Sequence, residues 1–147
     1  MISTFMGSFL RGVLLILVLD FILFSGVMGN YFTLLEIKEY FNPIFVDNQI
    51  YSLILLLAFP IGYMFVYKPY SSFFTKIYLA LLLIFSLTFI EEVGFSVGEF
   101  IFSKKASISV NNKDLEGKIL YIGREYLYFR EDLSDKTLKF EKELVIC

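Results

Sequence analysis

Apolar residues run almost unbroken from Ile50 to Ile90, and this stretch organises the rest of the chain. It contains no Asp, Glu or Arg, and its lysines, Lys68 and Lys76, sit at and just after the link Lys68-Pro69-Tyr70-Ser71. About 18 apolar residues suffice to cross hydrocarbon, and an ordinary buried helix is seldom so uniformly apolar. The pattern predicts two transmembrane helices, 50–67 and 72–90, folded back on one another. Pro60 removes an internal hydrogen bond and Gly62 loosens the next turn, so a kink is expected in the first of the pair. Tyr63, Tyr67, Tyr70 and Tyr78, together with Lys68 and Lys76, mark headgroup depth at the hairpin end.

An earlier apolar run, 12–31, follows the polar start 1–11 and reads as the first of three spans. A cleaved signal peptide is the competing reading, because Val27-Met28-Gly29 offers small residues near a cleavage point. Asp20 in the middle of the run and a lone cation as late as Arg11 argue against it. Gly26 and Gly29 near its far end allow close helix approach, though not at the four-residue spacing of a dimerisation face. Between the spans, Tyr31, Leu34, Ile37 and Phe41 fall on one helical face and Asn42-Pro43 ends the pattern, which predicts a short helix lying in the interface. The alternative is an irregular loop packed on the bundle. Asp47 or Asn48 is expected to cap the second span. The third span is expected to end at Glu91-Glu92. The stretch 93–102, with Gly94 and Gly98 at a helix-packing spacing, reads as a continuing helix or junction.

From Lys104 the period changes. Ile108 and Val110 alternate with Ser107 and Ser109, Asn111-Asn112 supplies a turn, and 118–123 and 126–130 flank Arg124-Glu125 as in a tight hairpin. A polar loop at 133–136 precedes a last strand, 137–146. Leu120, Ile122, Leu127 and Phe129, with Leu138, Phe140, Leu144 and Ile146, make the expected inner face, and Tyr121, Tyr126 and Tyr128 the outer one. The predicted fold is an α-helical membrane protein with three transmembrane helices (1–103) and a small C-terminal antiparallel β module (104–147), a meander or partly open SH3-like barrel. A module of this size is marginal alone and must lean on the bundle or on another chain.

Composition agrees: 57% of the 147 residues are hydrophobic and the mean hydropathy is +0.70, above the norm for soluble domains. The net charge of −2 hides a division, with four cations against six acids in residues 1–98 and nine of each in 99–147. The tail has no basic excess of the kind that binds nucleic acid. Histidine is absent and Cys147 is the only cysteine, which removes disulfide frameworks, Cys/His zinc sites and histidine-dependent catalysis. There is no glycine-rich phosphate loop and only one Asp in a span, so no catalytic set, cofactor or metal is expected and the chain does not read as an enzyme.

Asp20 is the most informative polar residue. An ionisable group in a span costs about 2.5–3.5 kcal/mol on insertion scales and is normally paired or functional. Arg11 is nine residues away, which at about 100° per residue places it on the opposite face. The readings are a neutral, hydrogen-bonded structural Asp, a proton or ion pathway, or contact with a partner's span. Glu91 and Glu92 read as interfacial acids. Tyr121, Tyr126 and Tyr128 form the expected partner face, since tyrosine suits surfaces with one wet and one buried end; the alternative is that this face rests on the membrane or on residues 31–45. The expected function is a small interaction or regulatory accessory subunit displaying the β module, and the alternative is an oligomeric transport or channel component using Asp20. Expected partners are membrane lipid and another membrane protein or a second copy, without nucleic acid. The expected site is the cell (inner) membrane with the N-terminus inside, because the flanks of the first two spans then hold Arg11, Lys68 and Lys76 inside against Lys38 outside.

Overall fold

A computed structural model describes residues 2–110, 113–131, 136–142 and 145–146. The predicted turn at Asn111-Asn112, most of the loop at 133–136, Leu144 and Cys147 lie outside the described residues. Helices come first: α1 (Ile2–Val27), α2 (Phe41–Asp47), α3 (Tyr51–Val66), α4 (Lys68–Ser86) and α5 (Glu91–Phe102). An antiparallel sheet follows: β1 (Lys104–Val110), β2 (Lys113–Ile122), β3 (Tyr126–Glu131), β4 (Thr137–Glu141) and the two-residue β5 (Val145–Ile146).

Two helices are long and apolar enough to cross a membrane, Thr4–Phe32 with 29 residues and Pro69–Phe89 with 21. At 1.5 Å per residue they reach roughly 44 Å and 32 Å, against about 30 Å of hydrocarbon. The first starts well before residue 12, because the scattered polar residues Thr4, Ser8 and Arg11 do not break a helix. The 16-residue α3 is shorter than the predicted 50–67 span. It meets α2 at a 75° bend, and only as a bent pair do the two make a third crossing.

α1 and α3 run antiparallel and touch through small residues. Ser8 and Gly12 on α1 face Ala58 and Gly62 on α3, each pair spaced four apart. A Cβ on Gly12 would overlap the Ala58 carbonyl, and one on Gly62 would overlap that of Ser8. This is the small-xxx-small contact that lets membrane helices approach at backbone distance. α4 returns alongside: the Tyr78 hydroxyl donates to the Leu15 carbonyl at 2.9 Å, and Thr88 fills the space left by Gly26. Gly29 has nothing near it, so of the two glycines read as a packing feature only Gly26 acts as one. The outer sides of α3 and α4 expose Leu56, Phe73, Leu79, Leu83 and Ile84.

At the other end the chain departs from its predicted course. α1 widens into a π-helical turn, Met28–Phe32, and Glu36 turns the backbone at φ 55°. Asn42-Pro43 opens α2 instead of closing a helix, because in a first turn the missing proline N–H has no partner to lose. Neither expected cap serves α3. Asn48 donates from Nδ2 to the Ile44 carbonyl at 2.7 Å, Asp47 is engaged by the sheet, and Ile50 occupies the cap position. After α4 a 3₁₀ turn, Leu87–Phe89, leads into α5. Glu91 and Glu92 lie exposed in its first turn, where the free N–H groups and the helix dipole favour acids.

The strand order is β4-β3-β2-β1-β5, so the last strand returns to the first. The predicted hairpin at Arg124-Glu125 is present, closed by the Gly123 N–H donating to the Tyr126 carbonyl at 2.8 Å. The predicted strand 137–146 is divided at Lys142 into β4 and β5. Ile108, Val110, Ile119, Leu127 and Phe129 form the sheet's own core. A register slip between Ile119 and Tyr121 changes the expected alternation. As at other bulges, the extra residue re-aims its neighbours. Ile119 takes the inner place expected of Leu120, Leu120 and Tyr121 are both buried in the core shared with the helices, and Ile122 is exposed.

The small-residue contact is directly testable. Gly12→Val and Gly62→Val should each destabilise the detergent-solubilised protein by about 1–3 kcal/mol or more through overpacking. Gly29→Ala should leave the melting temperature unchanged or slightly raised. Equal tolerance of all three would remove the α1–α3 contact.

Candidate functional site

Two places gather the chain's polar and aromatic chemistry: the joint between sheet and helices, and a cavity beside Asp20. The joint is built around Phe102, the last residue of α5, with only Ser103 between it and β1. Its ring lies 5.2 Å from Phe32, 5.4 Å from Tyr121 and 6.2 Å from Tyr31. Tyr31 reaches past Gly98, whose missing side chain leaves room for the ring, and its hydroxyl donates to the Leu120 carbonyl at 3.0 Å. Gly94 likewise admits Asn30, whose Nδ2 donates to the Thr88 carbonyl at 2.8 Å. The Gly94/Gly98 spacing is thus the face of α5 that receives the end of α1.

Two of the three tyrosines expected to form a partner face are buried. Tyr121 is 4% and Tyr128 2% exposed, and both belong to one core with Phe24, Val27, Tyr31, Phe32 and Ile44. Tyr126 packs partly against the same core, with the Lys139 ammonium 3.5 Å above its ring. The face read as open to another protein is covered by this chain's own helices. Oxygen-rich surroundings complete the joint. The Tyr128 hydroxyl lies 3.3 Å from both the Lys38 carbonyl and Glu39 Oε1, and Thr137 donates to the Leu35 carbonyl at 2.8 Å. Burial, with Glu39 adding to it, pushes the Tyr128 hydroxyl up to about 12, and burial also raises Tyr121.

Two ion pairs fasten the rim. Arg124, at the hairpin tip, holds both Asp47 oxygens at 2.6 Å, and Lys118 meets Glu99 at 2.5 Å. The Arg124 hydrogen bonds keep the Asp47 carboxyl below the usual carboxylate range. The pairs are partly exposed, so they fix orientation more than they add stability. Beside them, a surface groove of about 410 Å³ runs between Lys38, Glu39, Tyr40, Arg124, Tyr126 and Lys139.

Asp20 lines a different cavity, of about 290 Å³, between α1, the α2–α3 link and α5. Asn48 and Gln49 share it, and the walls include Ile16, Leu53, Leu57 and Ile101. Asp20 therefore lies level with the N-terminal end of α3 rather than with its middle. It has no hydrogen bond or ion pair among the described residues. Both amide atoms of Gln49 are buried without a hydrogen-bond partner. Neither Arg11 nor Glu91 nor Glu92 lines this cavity. Among the described residues no three His, Cys, Asp or Glu side chains gather as a metal site.

No protein-family model, curated protein or solved structure matches the chain.

Sequence reasoning passed over Gln49 and the pairing of Asp47 with Arg124. Gln49 carries no local signal, since its meaning depends on α2 and α3 meeting at a bend. The Arg124–Asp47 pair spans 77 residues, beyond the reach of any periodicity.

Tyr128 yields a pH prediction. Its folded pKa is raised above the unfolded value of about 10, so its contribution is complete below pH 10 and is lost as pH rises through about 12. Phenolate absorbance of the native protein minus that of Tyr128→Phe should show a step centred near 12. The variant should lose about 1 kcal/mol at neutral pH with its hydrogen bonds. A difference step near 10 would contradict the buried placement.

Proposed function

We propose that the chain is an integral membrane accessory subunit whose helices carry the β sheet as a rigid polar platform against one membrane face, where it docks a partner protein. The observation that carries this reading is the joint. The sheet is held by a shared aromatic core and two ion pairs, so it is presented at a fixed height and orientation rather than on a tether. With its tyrosine face occupied, two surfaces suit a partner: the edge of β4, which pairs with no other strand among the described residues, and the groove beside Arg124 and Tyr126. An unpaired strand edge is a ready template for another chain, and Lys139 and Glu141 are the charges that guard it. The returning fifth strand supports reading the sheet as a small SH3-like barrel. The proposed setting is the cell (inner) membrane with the N-terminus inside, which puts the sheet outside.

The transport alternative, with Asp20 facing a path between subunits, has less support. α1 and α3 meet at backbone distance through Ser8, Gly12, Ala58 and Gly62, which leaves no polar route between them. Asp20 lines a cavity at the end of α3, not a passage along it.

Photo-reactive side chains at residue 139, 141 or 83, one at a time, test the docking surface in living cells. Positions 139 and 141 should give a discrete protein adduct. Adducts to protein only from residue 83 on α4 would move the docking surface to the helices and remove the platform reading.

A further inference from the structure

The cavity beside Asp20 combines a carboxylate and an amide that nothing among the described residues satisfies with walls suited to hydrocarbon. The Asp20 carboxylate only accepts hydrogen bonds, whereas the Gln49 amide both donates and accepts. A buried amide without partners costs free energy comparable to a lost hydrogen bond, and an unpaired carboxylate costs more. Among the described residues no cation lines the cavity. Gln49 immediately precedes α3 and Asp20 on α1 lies level with its first turn. Apolar walls run from there along Leu53 and Leu57 on α3 and Ile16 on α1. At about 290 Å³ the space is at the small end of ligand pockets, roughly 300–1,000 Å³. That is room for a headgroup and its first methylenes, not for a whole amphiphile.

From this charge complementarity we infer that the cavity binds the headgroup of a phosphatidylethanolamine. Its primary ammonium donates to Asp20 and to the Gln49 carbonyl oxygen, its phosphate meets the Gln49 NH₂, and its acyl chains lie along the walls toward the bilayer. A trimethylammonium headgroup has no N–H to donate, and a glycerol headgroup has no charge to set against Asp20. The inference rests on the membrane-embedded reading of the chain but not on the docking role of the sheet.

The full chain, reconstituted in phosphatidylcholine nanodiscs with a minor fraction of either dioleoyl-phosphatidylethanolamine or dioleoyl-phosphatidylglycerol, is extracted gently and its retained lipids are counted by native mass spectrometry. One equivalent of phosphatidylethanolamine should be retained in preference to phosphatidylcholine. Asp20→Asn, which keeps the side-chain volume, should weaken that preference at least about tenfold, as expected when one charge-assisted hydrogen bond is lost. Gln49→Met should weaken it to a lesser degree. Circular dichroism of both variants shows whether they remain folded, and alkaline extraction of the source membranes reports embedding separately, so a chain that is not membrane-embedded is told apart from one that is embedded but unselective. Equal retention of all three lipids, a preference for phosphatidylglycerol, a preference untouched by Asp20→Asn in folded protein, or a co-purifying protein held in place of lipid would each overturn the inference. So would the absence of any retained lipid, as when Gln49 is met by buried water alone.

Discussion

Everything at the sheet end of the molecule depends on the widened turn that closes α1. In a regular α-helix neighbouring residues point about 100° apart, and a helix lying against one surface buries only one of two neighbours well. At Met28–Phe32 the turn loosens, and Tyr31 and Phe32 are both completely buried. Tyr31 reaches across Gly98 to the Leu120 carbonyl, and Phe32 meets Phe102 and Tyr121. Wide turns of this kind inside α-helices are uncommon and recur at functional positions. Here the turn lets one helix end grip α5 and the sheet together.

That grip explains why a β module too small to stand alone is nevertheless ordered around two cores. Its inner core is its own; its outer one, with Tyr121 and Tyr128, is completed by helices. The same joint accounts for the unequal helix lengths. The continuous helical run Thr4–Phe32 exceeds the hydrocarbon thickness by roughly 14 Å, and its last turns are the ones covered by α5 and the sheet. α3 begins only at the level of Asp20, with α2 bent away from it at 75°. The polar groups of Asp20 and Gln49 therefore lie near one end of the apolar bundle.

Apolar run length made the helical class legible, and alternation made the sheet legible, because both are local. Leu127 and Phe129 read as inward and lie in the sheet's core, and Arg124-Glu125 reads as a hairpin tip and is one. The misreadings share one cause: tertiary contact overrides local pattern. One bulge near Leu120 exchanged the roles of Ile119 and Leu120 and left Ile122 in solvent. Asn42-Pro43, a stop signal in a helix interior, is a start signal in a first turn. The tyrosines expected to face a partner pack instead against residues 24–45 and α5 of the same chain. The small residues Ser8, Gly12, Ala58 and Gly62 were visible in the sequence as two four-residue spacings, and only their pairing required the fold.

The central claim is that sheet and helices form one rigid body. Spin labels at Leu14 on α1 and Glu116 on β2, both exposed, in a chain with Cys147 replaced by serine, test it most directly by pulsed electron–electron resonance in lipid bilayers. A single narrow distance distribution, the same in lipid and in detergent, is the predicted result. A broad or multi-peaked distribution would contradict the account, because it would mean that the joint of Tyr31, Phe32, Phe102 and Tyr121 does not hold the sheet.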